Sequence, residues 1–95
     1  MHEIIYVKSF YEPWWMLEGW EQDIVQRNSF STIEEAISFK SELADTLRNA
    51  YPEHKKKGED FDVYWEKGEL EYCPDCEEDL QIYHGIIHLH TETNT

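Results

Sequence analysis

The sequence predicts an α+β domain: a small antiparallel sheet of about five strands with one long helix packed on one face, in the order β-β-α-β-β-β. Three observations carry this expectation. Residues 32–51 space their apolar side chains at helical period, between a capping signal and a proline. Residues 3–10, 23–30 and 61–65 are rich in β-branched and aromatic side chains. The length, 95 residues, is enough for one hydrophobic core and leaves no room for a second. Residues 1–95 should therefore form a single domain, with 91–95 expected as a frayed tail.

In chain order, Ile4-Ile5-Tyr6-Val7 is an unbroken apolar run, which implies cover on both faces of the first strand. Pro13 then interrupts any ladder because it has no N–H, and Gly19 permits a turn. Trp14, Trp15 and Trp20 concentrate aromatic surface here. With Tyr11 and Glu18 they form a candidate binding surface for a sugar, a base or a peptide; alternatively the rings close one end of a small core. Glu18 and Glu21 beside them would suit acid–base chemistry, but with 21 acidic residues in the chain the pair carries no weight.

After a second strand at 23–30, Ser31 and Glu34, like Thr32 and Glu35, have capping-box spacing. Ile33, Ala36, Ile37, Leu43, Ala44, Leu47, Ala50 and Tyr51 share one helical face, interrupted by Lys40, whose stem can lie along it while the charge reaches water. Pro52 ends the helix. Residues 52–60 read as a charged loop holding the one basic cluster, Lys55-Lys56-Lys57, either solvated or in contact with an anion. Phe61, Val63 and Trp65 alternate with polar neighbours as in a half-buried strand, and Gly68 suits a tight turn leading back into residues 70–72. The last strand has a phase slip. Leu80 and Ile82 share one parity, Ile87 and Leu89 the other, and one register cannot bury both pairs. A bulge near Gly85 would reconcile them and would send His84 and His88 to different faces.

The formal net charge of −13 disfavours nucleic acid and anionic membrane surfaces and permits a basic protein partner. No apolar run reaches membrane-spanning length, and the first residues lack the character of a signal peptide, so a cytoplasmic location is expected. In that reducing compartment Cys73-Pro74-Asp75-Cys76 reads as metal-binding or redox-active before it reads as a disulfide. Zinc would take Cys73 and Cys76 as thiolates, His84 as third ligand and His88 or His90 as fourth, in a structural site. The alternative is thiol–disulfide chemistry at the same pair, opposed by Asp75, Glu77, Glu78 and Asp79, whose charge should raise the thiol pKa. The remaining option is two ordinary cysteines in a turn. No phosphate-cradling glycine loop, metalloprotease signature or serine nucleophile motif is present. The expected function is a small acidic cytoplasmic binding or adaptor domain acting through protein contact, with a structural zinc as candidate cofactor and a redox protein as the alternative.

Four stretches together carry a family resemblance: Tyr11-Glu12-Pro13-Trp14-Trp15, Glu18-Gly19-Trp20-Glu21, the Cys73/Cys76 pair, and Glu78-Asp79-Leu80-Gln81-Ile82-Tyr83-His84-Gly85. They resemble a family of small bacterial proteins known as domain-of-unknown-function family 1033. The resemblance implies a bacterial, intracellular, single-domain protein and brings no activity, catalytic residue or cofactor. The family pattern ends near His84-Gly85, so His88 and His90 fall outside it.

Overall fold

The computed structural model describes residues 1–90; the expected tail at 91–95 lies outside them. Its strands are β1 (His2–Ser9), β2 (Ile24–Phe30), β3 (Glu53–Lys57), β4 (Phe61–Trp65), β5 (Leu70–Cys73), β6 (Glu78–Gln81) and β7 (Tyr83–His90). The helix α1 spans Ile33–Ala50. Short 3₁₀ turns at Pro13–Trp15 and Trp20–Asp23 fill the β1–β2 connection. Five strands form one antiparallel sheet in the order β2-β1-β7-β4-β3, and β5 and β6 form a separate hairpin. The α+β class, the five-stranded sheet and the single helix on one face are as the sequence predicts.

β7 lies at the centre because it is apolar towards both faces. Ile86 packs with Ile4, Ala36, Leu47 and Tyr64 beneath the helix. Ile87 packs with Ile5 and Val7 on the other side, covered by Trp20, Ile24 and Phe61. Each such isoleucine, fully buried, contributes about 1.5–3 kcal/mol relative to exposure.

The capping signal at the helix start holds. The Thr32 hydroxyl accepts from the Glu35 N–H at 3.3 Å and donates to the Glu35 carboxylate at 2.9 Å. The predicted apolar face needs correction at both ends, Ala50 being exposed at the C-terminal one. Ala36 and Leu47 are buried, but Ile33 and Ile37 are 42% and 52% exposed. The helix packs on β1, β2, β7 and β4, and Ile33 and Ile37 line a cleft on its β3 side instead of the core.

Three further corrections concern the strands. Residues 53–57 form β3, paired from Glu53↔Trp65 to Lys57↔Phe61, where a charged loop is expected. An edge strand needs no buried face, and its lysines discourage further pairing. β4 pairs with β3 and β7 rather than with residues 70–72, and it is covered on both faces, with Asp62, Val63 and Tyr64 all buried. The Gly68 turn exists, at φ 96°, but it leads into the separate hairpin. Finally, no bulge occurs at Gly85. β7 keeps one continuous register with β1, from His2↔His90 to Ser9↔Tyr83. The phase slip is resolved earlier, where β6 ends at Gln81 and β7 starts at Tyr83. Gly85 is required for close approach instead: a Cβ there would lie 2.8 Å from Pro13 Cβ and 3.0 Å from Val7 Cγ2. His84 and His88 therefore share a face. Among the described residues, no helix is long and apolar enough to cross a membrane.

Candidate functional site

Strand alternation puts His84, Ile86, His88 and His90 on the helix side of β7. The antiparallel register of β1 sets His2 opposite His90 and Ile4 opposite His88. Beyond Ile86 the face turns from apolar to imidazole. His2 Nδ1 is hydrogen-bonded to His88 Nε2 at 3.2 Å. The His88 and His90 rings stack at 4.2 Å, and His2 meets both edge-on, at 5.3 and 5.1 Å between centroids. With one ring nitrogen taken from each, the three residues lie within 4.8 Å of one another. Asp60 fastens the cluster twice: its carboxylate sits 3.0 Å from His90 Nε2, and its carbonyl accepts the His88 N–H at 2.9 Å. His88 is 6% exposed. Burial, then the neighbouring His90, Lys40 and His2, hold its pKa below the ordinary imidazole value, against a smaller opposing effect of Asp60.

His88 and His90 also form part of the wall of a cleft of about 460 Å³, open between α1 and the β4–β3 end of the sheet. It exists because the helix leaves that end of the sheet uncovered. Ile37, Lys40 and Arg48 line it from the helix, Tyr64 from the sheet, and His54 and Lys56 from the edge strand. The Lys40 ammonium faces the open cleft, where it donates to the Glu59 carbonyl and sits 3.7 Å from the Asp62 carboxylate. Of the eight basic residues in the chain, Lys40, Arg48 and Lys56 line the cleft, against three of the 21 acidic ones, Glu59, Asp60 and Asp62.

His84 belongs to a different arrangement. It is 3% exposed, with Nδ1 at 2.6 Å from the Tyr6 hydroxyl and Nε2 at 2.8 Å from the Glu69 carboxylate. Tyr51 stacks on its ring at 3.9 Å. Burial, then Tyr51 and Glu69, push the Tyr6 phenol up to about 12. A carboxylate–imidazole–phenol row could relay a proton, but here both imidazole nitrogens are engaged and the ring is shielded from solvent. The row ties the start of the β5–β6 hairpin to the main sheet, and Ile82 N–H donating to Glu69 C=O at 3.0 Å extends the hairpin ladder by one pair.

Cys73 and Cys76 lie in the β5–β6 turn as free thiols. Glu77, at φ 55°, closes the turn by donating its N–H to Cys73 C=O at 2.8 Å. The Cys76 thiol is pushed up, first by its hydrogen bond with Cys73 and then by desolvation, Cys73 itself, Glu78 and Asp75. The acidic neighbours thus act in the expected direction but are not the leading cause. Of the proposed ligand set, the fold keeps the cysteines in the hairpin, His84 with Tyr6 and Glu69, and His88 with His2 and His90. Among the described residues, the group of three with metal-ligand character and converging atoms is His2, His88 and His90.

The aromatic residues are divided between surroundings. Trp20 packs on the Ile5/Val7/Ile87 core. Trp14 lies under Lys55 and Lys57, each ammonium 5.6 Å from the ring centroid. Trp15 is 58% exposed and donates Nε1–H to Glu12. Tyr11 is hydrogen-bonded to Asp23, and Glu18 is exposed. Sequence reasoning missed His2, Lys40 and Asp60 as site residues. The His88-x-His90 alternation was a usable signal; His2 joins it only through the β1–β7 register.

A family model described as "Protein of unknown function (DUF1033)" matches residues 1–95, the whole chain, and so runs through His88 and His90. No curated protein and no solved structure matches the chain.

Proposed function

The chain belongs to the DUF1033 family, and for it we propose a role as a small binding domain whose working site is the cleft between α1 and the β4–β3 end of the sheet. The ligand class is a small anionic molecule. The charge inside the cleft carries this reading. In a chain of net charge −13, three basic and three acidic side chains balance there. Arg48, on the helix and already beside Asp45 and Tyr64, and Lys56, on the edge strand, both line the cleft and could donate charge-assisted hydrogen bonds to an anion. The volume of about 460 Å³ falls within the range of about 300–1,000 Å³ common for small-molecule sites. Amide chemical-shift mapping tests this, with inorganic phosphate and succinate as probes. Shifts should gather around Lys40, Arg48, Lys56 and His88. Lys56→Glu should weaken binding about tenfold or more, the loss of one charge-assisted hydrogen bond. Shifts gathered at Trp15 or at the Cys73–Cys76 turn would reject the cleft.

A second reading, contact with a basic protein partner, draws support from the net charge and from Trp15 and Leu17, both more than half exposed in one loop. Such binding would weaken steeply with added salt and with Trp15→Ala.

A further inference from the structure

We propose that His2, His88 and His90 form a binding site for a single zinc ion or a similar borderline divalent metal. The site goes beyond the anion reading of the cleft and stands without it, because the metal alone is the ligand. Four tetrahedral zinc ligands with Zn–N of about 2.0–2.1 Å have neighbouring nitrogens about 3.3 Å apart. His2 Nδ1 and His88 Nε2 are 3.2 Å apart, the separation that two tetrahedral ligands need, and turning both rings off the line that joins them would aim their lone pairs at one ion. His90 completes a group whose nitrogens lie within 4.8 Å. It is the exposed end residue of β7, and a small tilt of its ring, with the half-exposed Asp60 carboxylate following, would narrow the remaining gap.

The surroundings support the same assignment. Asp60 holds His90 Nε2 at 3.0 Å, the carboxylate–imidazole contact that commonly orients a ligating histidine from behind. The Asp60 carbonyl also pins the His88 backbone. The neighbouring Lys40 is already held by Asp62 and the Glu59 carbonyl. With Asp60 counted, acidic groups near the cluster outnumber Lys40, which suits a divalent charge. All three histidines sit on adjacent central strands rather than on a loop, so their relative positions are set by the ladder. Three imidazoles leave a fourth tetrahedral position, and since His88 and His90 line the cleft, the ion would sit at its wall.

The test uses the full chain without a histidine tag, stripped with chelator and titrated with Zn(II) by calorimetry and with Co(II) by absorption. One ion should bind per chain, and the cobalt spectrum should be that of a tetrahedral site with no thiolate charge-transfer band. Asp60→Asn should weaken zinc binding by about 10–100-fold, as loss of a supporting carboxylate does. His90→Ala and His2→Ala should weaken it further. Both sites are partly solvent-accessible, so these variants should retain their amide spectra where the buried His88→Ala need not. Cys73→Ser/Cys76→Ser should bind as the wild type does. Absence of binding by the wild type would overturn the proposal, as would a thiolate band in the cobalt spectrum or zinc affinity unchanged by both His90→Ala and His2→Ala.

Discussion

Tyr6 and Gly85 show how single residues hold the centre of this molecule. The Tyr6 hydroxyl is the partner of a buried imidazole nitrogen. Tyr6→Phe removes it while keeping the ring, so unfolding by denaturant should show a loss of about 1–3 kcal/mol, the cost of a buried polar atom left unpaired. The same phenol carries a pH dependence. Its folded pKa, about 12, lies above the ordinary tyrosine value near 10. The unfolded chain therefore ionises first as pH rises. The stability due to Tyr6 is complete below about pH 10 and is lost as pH climbs through the folded value. Burial also raises Tyr11, Tyr51, Tyr64 and Tyr83, so ultraviolet titration should find a late phase of several phenols, and Tyr6→Phe should remove one tyrosine from its end near pH 12. At Gly85 the constraint is steric. Gly85→Ala drives a Cβ against Pro13 and Val7, and the melting curve should report about 1–3 kcal/mol of overpacking. A variant as stable as the wild type would show that the 13–15 turn yields freely.

At the scale of elements, α1 and β7 have contrasting roles. α1 starts where Thr32 caps it, and Thr32→Ala should destabilise by about 1 kcal/mol, measured by thermal unfolding. This element was the most legible in the sequence, because capping residue, period and terminating proline agree along a contiguous stretch. The exposure of Ile33 and Ile37 was not legible: periodicity identifies an apolar stripe but not how far a sheet extends beneath it. The strand errors share one physical origin. β3 reads Glu-His-Lys-Lys-Lys and has no local strand signal, since it forms only because β4 offers a free edge. The pairings of β4 and β7 join residues distant in sequence, so neither the neighbours of residues 61–65 nor the resolution of the phase slip could be read locally. The candidate site suffered most. Cys73 and Cys76 stand out in sequence because their spacing is local. His2 and His88 are 86 positions apart, and only the β1–β7 ladder joins them.

The whole molecule combines an acidic surface with a cleft whose charges balance. Its helix is long enough to seal the apolar half of one sheet face but leaves the β3 edge uncovered, and the cleft follows from that mismatch. The histidine cluster lies where the apolar strip under the helix ends, at the wall of the same cleft. We propose this end of the sheet, and not the Cys73–Cys76 turn, as the chemical centre of the chain. Anomalous diffraction at the zinc edge from crystals grown with zinc tests it most directly. One strong peak is expected among the His2, His88 and His90 imidazoles, at about 2.0–2.1 Å from one nitrogen of each. A peak at the Cys73 and Cys76 sulfurs, with none at the histidines, would contradict it.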